Sequence, residues 1–359
     1  MTQHRCRVIA ALVACLPLGG CFGIGPERLS RDEIDFSRAL AISDNQQTLL
    51  NIVRLRYAEA PTFLDLTQVI SGYQAQQTLS GSLDLFPSSH ASTSVGGGGS
   101  MQLQENPTFT YAPVTGEQFS ETFLRPLPPG TVLPLVLTGI PIDLLFALVV
   151  QSINGMDNAQ VLAGSVGAMS EDFARLLHDL RVLQVAGRLD VRLGQAAIGQ
   201  GRSDRRAAAD VVKLAILNSD DARMTAVAAE ARRLLGLPDD ETPFDIVFDR
   251  RPVRPHEVAI LTRSVLGVLG SMAFAIDVPP GDVADGRTMP TMPAASPVAI
   301  HSGRSAPDDA FVAIEYDRHW YWISSRDFRS KLAFAVLQNL LALAQSKQPP
   351  GAVVTIPAG

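Results

Sequence analysis

The sequence predicts an α+β protein: an N-terminal helix and a long β-hairpin, a helical middle, and a small C-terminal α+β domain. Three patterns carry that expectation. Apolar and polar residues alternate with period two over residues 73–85 and again over 95–103, which puts one set of side chains on each face of a sheet. Apolar residues recur at helical spacing over 327–346, where Phe328, Leu332, Val336, Leu340 and Leu343 form one stripe. Strand and helix patterns follow one another from Ser170 onward, which argues for a mixed unit.

The first residues have the layout of a secretory signal. Arg5 and Arg7 precede an apolar run, 8–18, which is too short to cross a bilayer core needing about 20 helical residues. Leu18, Gly19 and Gly20 then lead to Cys21. Leu18-Gly19-Gly20-Cys21 resembles the lipobox of bacterial lipoproteins, and over these first 22 residues the chain is similar to envelope lipoproteins of Gram-negative bacteria. The resemblance implies that Cys21 becomes the mature N-terminus, carrying a thioether-linked diacylglycerol and an N-acyl chain such as palmitate. The chemistry needs a thiol, since a thiolate is the stronger nucleophile near neutral pH. Phe22, standing where an aspartate would retain such a protein at the inner membrane, implies the outer membrane. Leu12-Val13-Ala14-Cys15 fits the same pattern but leaves a shorter apolar run after Arg7. An ordinary cleaved signal or a buried N-terminal helix are the plainer readings of this stretch. Cys6 and Cys15 fall in the part to be removed, so the mature chain has no partner thiol for a disulfide.

The remaining chain divides into an anchor, helix and hairpin unit (21–112), a segment of short buried helices (113–168) and the α+β domain (169–359). The formal charge is −6, and it becomes more negative as Arg5 and Arg7 leave. An acidic chain lacks the cationic surface that sequence-independent nucleic-acid binding needs.

Residues 30–58 read as helical, with Ser30 as cap and Leu49, Ile52, Val53 and Tyr57 on one face until Pro61. Residues 63–70 read as strand and lead into the alternating stretch. Tyr73, Leu79, Leu83 and Leu85 on the outgoing limb, with Met101 and Leu103 on the return limb, fall on the apolar set. Gln, Ser and Thr fill the other set, and the tip near 87–94 is loose. Three readings stay open for this hairpin. It packs on the body by its apolar face; it is a Gly/Ser-rich flap around Gly96-Gly97-Gly98-Gly99; or it enters a membrane as part of a barrel shared between subunits. A spanning strand needs about 9–11 residues, and one hairpin cannot close a barrel alone. The last layout is similar to that of the curli-secretion channel, without a shared motif.

Thr115 to Gln118 read as a capping box opening a helix to Leu124. Residues 131–150 are nearly uncharged, yet Pro134, Gly139, Pro141 and Asp143 argue for two short helices, 132–138 and 142–153, over a membrane span. Further helices are expected from Ser170, with Phe173, Leu176, Leu177 and Leu180 inward, and over 221–235 up to Gly236. Residues 189–193 and 244–249 read as strands, 194–206 as a loop, 255–269 as a helix with Ile260, Leu261, Val265, Leu266 and Leu269 inward, and 278–297 as a flexible loop. Residues 311–316 and 319–323 form a hairpin about Asp317-Arg318, and Ser324 or Ser325 caps the last helix.

No catalytic motif appears. His90, His178, His256, His301 and His319 lack zinc-ligand spacing, so no metal is expected, and neither is any cofactor. No G-x-S-x-G, S-x-x-K or P-loop is present, and Gly96 to Gly99 lack the lysine and helix of a phosphate cradle. Ser324 to Asp327 beside Trp320 and Trp322 read as a helix cap more simply than as a binding edge, and Asp239-Asp240 as a solvated turn. These readings converge on a non-enzymatic outer-membrane lipoprotein facing the periplasm or the surface. It would act as a structural or assembly component of an envelope or export complex, with the membrane (through its lipid), further copies of itself, or envelope proteins as partners. The alternatives are a membrane-anchored cell-wall hydrolase with a dispersed site, and a binding protein accessory to a transporter.

Overall fold

The computed structural model describes residues 26–70, 73–84, 94–105, 108–162, 165–194, 211–292 and 296–345. Leu18, Gly19, Gly20, Cys21, Leu85, His90, and all but one residue each of the expected tip near 87–94 and the expected loop over 194–206 lie outside the described residues.

Helix α1 (Pro26–Arg56) starts before Ser30, with Pro26 in the first turn, where no backbone N–H partner is required. Along it Ile34 and Ile42 are exposed, whereas Leu49, Ile52 and Val53 sink fully into the core as their spacing predicts. Strands β1 (Leu64–Ile70), β2 (Tyr73–Asp84), β3 (Ser94–Glu105) and β4 (Thr108–Pro113) make the predicted hairpin, β1 pairing with β4 and β2 with β3. Helix α2 (Gly116–Phe119) runs on as a π turn (Ser120–Leu124). Thr115 occupies the cap position but its side chain bonds nothing there, so the expected capping box does not form.

Helix α3 (Pro129–Val132) and a 3-10 turn (Leu133–Thr138) end at Gly139, whose φ of 91° only glycine adopts without strain. Helix α4 (Ile142–Val149) starts after Pro141 but stops short of the expected residue 153. The chain turns extended as β5 (Val150–Ile153) and returns as β6 (Met156–Asp157). Two buried side chains cause the stop by taking the carbonyls of the last turn. Asn158 Nδ2 donates to Val150 O at 2.7 Å and Ala147 O at 3.0 Å. Arg263 Nη1 donates to Leu148 O at 2.8 Å and Ala147 O at 3.1 Å, and its Nη2 to Ala159 O. A cation at a helix C-terminus also meets the negative end of the helix dipole. Burial pushes the Arg263 guanidinium down to about 10, so it remains charged at neutral pH.

After the short strands β7 (Gln160–Leu162) and β8 (Ser165–Gly167) comes α5 (Glu171–Val185). Ser170 Oγ caps it by accepting from Phe173 N at 3.2 Å. Then follow β9 (Leu189–Gly194), β10 (Val211–Ile216), α6 (Ala222–Leu235), β11 (Phe244–Val247) and β12 (Glu257–Thr262). The β12 stretch reads as helix in sequence and is a strand. Val258, Ala259 and Ile260 are all buried because β12 sits inside a sheet, so it lacks the alternation that marks a half-exposed strand. The expected helix begins only at Ser264, which caps α7 (Val265–Phe274). Residues 278–292 are not a structureless loop either: α8 (Pro280–Ala284) buries Asp282. The chain closes with β13 (His301–Gly303), β14 (Ala310–Tyr316), β15 (His319–Ser324) and α9 (Phe328–Gln345). Asp327, rather than Ser324 or Ser325, caps α9, accepting from Ser330 N at 3.0 Å.

The strands order as β6-β5-β12-β11-β10-β9 in a six-stranded mixed sheet, parallel only between β11 and β12, and as β13-β15-β14 in an antiparallel one. Helices α5 and α6 pack on each other, α4 packs on α5, and α1 lies against α7 and β14. One core runs from Leu49 through Phe123, Leu145, Phe173 and Leu269 to Phe334. No described helix is long and apolar enough to cross a membrane. Replacing Arg263 by Met leaves Leu148 O and Ala159 O without this donor, at about 1–3 kcal/mol each, while Ala147 O keeps Asn158. Urea unfolding of the purified chain is expected to show a loss of about 2 kcal/mol or more, with Arg263→Lys recovering only part, because an ammonium lacks the fork.

Candidate functional site

The hairpin is an arm rooted in the core. At its root Phe63 and Val114 are buried, and Val114 N donates to Phe63 O at 3.0 Å. The Phe63 ring stacks on Phe123, centroids 3.8 Å apart at 19°. One residue further out, Leu64 is 42 % exposed, and on the return limb Tyr111 is 45 % exposed, so the chain leaves the body there. Register then holds along the arm. A single shift lies between Leu66 and Gln68. Beyond it Ile70 pairs with Thr108 and Tyr73 with Glu105, three residues on along each limb, and pairing continues without slip to Asp84↔Ser94. Among the described residues neither limb pairs with any other strand.

The sequence-predicted arm residues fall into this ladder. Tyr73 pairs with Glu105, Leu79 with Gly99, Leu83 with Val95, Met101 with Gln77 and Leu103 with Ala75. Odd positions meet odd positions throughout β2 and β3, so the alternation read in the two limbs is in phase.

Beside the root, a polar footing ties the end of α1 to the C-terminal half. Asn51 Nδ2 donates to Thr62 O at 2.8 Å, and Asn51 Oδ1 accepts from Thr62 N at 2.9 Å. Tyr57 Oη donates to Asp282 Oδ2 at 2.6 Å. A hydroxyl has one proton, so at the 2.7 Å contact between the two phenols Tyr321 donates to Tyr57. Arg287 lies over the Tyr57 ring, gives Nη1 to Asp282 Oδ1 at 2.9 Å and Nη2 to Asp317. Tyr316 Oη donates to Glu59 Oε1 at 2.6 Å. Arg56 is 3 % exposed and has no carboxylate partner among the described residues. It donates through Nη2 to Met289 O at 2.5 Å, rests 5.6 Å from the Phe274 ring centre and leaves Nε and Nη1 unbonded. Burial lowers its pKa. Sequence reading places Tyr57 on a packing face and misses the rest, because its partners lie more than 200 residues away.

A separate cleft of about 340 Å³ opens beside α4 and α5, lined by Asp143, Asn158, His178 and Arg329 over Ala147 and Leu177. Asp143 is matched by Arg329 Nη2 at 3.3 Å and Arg181 Nε at 3.7 Å. No second carboxylate lines this cleft, so the two-carboxyl arrangement of a glycosidase is not built here among the described residues. His178, His256, His301 and His319 lie on separate elements, and no group of three metal-ligating side chains converges among the described residues. Asp239 lies next to Arg232, its Oδ1 accepting from Nη1 at 2.9 Å, and Asp327 serves as the α9 cap.

No family model, curated protein or solved structure matches this chain.

The footing has a pH signature. Burial first, then the bonds to Asp282 and Glu59, raise the Tyr57 and Tyr316 phenols well above the ordinary tyrosine value of 10.0. A phenol raised on folding contributes stability that is complete below its unfolded pKa and is lost as pH climbs above it. Unfolding measured from about pH 8 to pH 12 should therefore show a decline starting near pH 10. The Tyr57→Phe, Tyr316→Phe double variant is expected to lose part of that decline; an unchanged slope would count against the footing.

Proposed function

We propose that this chain is a lipid-anchored outer-membrane protein without catalytic activity, serving as a structural or assembly component of an envelope or export complex. The observation that carries the reading is the arm: a long two-stranded ribbon, fixed at its root in the core, whose strands β2 and β3 pair with no other strand among the described residues. A two-stranded ribbon standing alone in water is marginal, so this one calls for a partner. The lipobox pattern at Cys21 supports membrane attachment, and two or more acyl chains make such attachment stable where one gives only marginal binding. The arm then reaches from the anchored body toward the membrane or a neighbouring subunit.

Two measurements test the two halves separately. Mass spectrometry of the native N-terminus should find acylated Cys21, and Cys21→Ser should leave the membrane fraction; a variant processed and partitioned as before overturns the anchor. Replacing residues 73–105 by a two-residue turn should leave the body folded by circular dichroism yet collapse any high-mass species in light scattering of detergent extracts. Unchanged mass overturns the arm as the assembly element.

A further inference from the structure

We infer that the partner of the arm is a second copy of this chain, and that copies join head to tail. The β1–β2 limb of one arm would lie antiparallel beside the β3–β4 limb of the next until the ring closes. The inference rests on the arm being the assembly element and adds who pairs with it and by which edges. Natural sheets protect free edges with lysine, proline, bulges or short strands. The β2 and β3 limbs have none of these. They are twelve residues each, contain no lysine, arginine or proline, and hold their only charges, Asp84 and Glu105, at their ends. The one register shift lies near the root, outside β2 and β3. Such edges are templates for another strand.

The geometry selects the second copy and the mode. The limbs are paired end to end, so the two free edges have equal length and a neighbour's edge leaves no overhang. The chain runs outward along β2 and back along β3. Arms that point the same way therefore set β3 of one beside β2 of the next in antiparallel sense, the pairing already used within each arm. Two-fold pairing of β2 with β2 would need arms pointing in opposite directions and would leave both β3 edges open. Head-to-tail pairing consumes both edges of every copy and ends only on closure. The closed product has two strands per copy, hence an even number, all antiparallel. The phase of the alternation is the same in both limbs, so each added copy continues the pattern of the last.

The test uses full-length chains in native membranes. One tagged population carries Ser80→Cys, and a second, differently tagged, carries Gly98→Cys, Ser100→Cys or Gln102→Cys in turn. No single chain then holds both thiols. Co-expression and mild oxidation should join Ser80→Cys to one or two adjacent β3 positions, several-fold more than to a second Ser80→Cys chain. In a head-to-tail sheet equivalent β2 positions lie two strands apart, roughly 10 Å, beyond disulfide reach. Dominant Ser80→Cys homodimers overturn the head-to-tail mode in favour of two-fold pairing. A high-mass species with no cross-link at any position overturns this inference while leaving the arm as an assembly element. A monomer by light scattering overturns both.

Discussion

The Phe63 ring lying on Phe123, with Val114 hydrogen-bonded back to Phe63, is the contact on which the arrangement depends. A ribbon of two strands has no core of its own. It can hold a direction only if its root is held by something that does. The aromatic stack puts the two ends of the ribbon into the same core that buries Leu49, Ile52 and Val53 of α1. Asn51 closes the short link between helix and arm by bonding both backbone groups of Thr62. The buried end of α1 and the root of the arm are thus joined through one core.

The body is pinned around that unit by buried arginines that meet carbonyls more than carboxylates. Arg263 caps α4, Arg232 bonds Ile216 O and Asn218 as well as exposed Asp239, and Arg56 bonds Met289 O. Burying a charge is costly unless its donors are satisfied. Arg263 and Arg232 meet that condition, and they sit where the six-stranded sheet joins its helices. Arg56 does not meet it. Two of its nitrogens are unbonded, and the next residue is Tyr57, whose hydroxyl meets Asp282 and Tyr321.

Some elements were legible because their signals are local. Ser170 and Asp221 cap α5 and α6, and Gly236 ends α6 at φ 64°. Asp317 and Arg318 both turn left-handed at φ 46° and 65°, which closes the β14–β15 hairpin within its own residues. The arm was legible for the same reason, since a two-stranded ribbon keeps its alternation. Strand β12 was not. Its neighbours β11 and β5 both precede it in the chain and pair with it in opposite senses, and a strand buried in mid-sheet presents an apolar run that periodicity cannot tell from a helix. The early stop of α4 depends on Arg263, more than 100 residues away. The footing escaped for a related reason: Asp282 sits in a Pro- and Gly-rich stretch whose composition reads as loop, and only Tyr57 and Arg287 reveal why it is buried.

The sequence by itself determined the α+β class, the period-two arm, the caps of α5 and α6 and the terminal hairpin, since each rests on residues within a few positions of one another. Tertiary structure alone decided that the root of the arm stacks on Phe123, that β5 and β12 share one sheet, and that the end of α1 is locked to α8 and β15. These are pairings across long separations, where the free energy of burial and hydrogen bonding depends on which distant segment arrives, and a local pattern does not encode that.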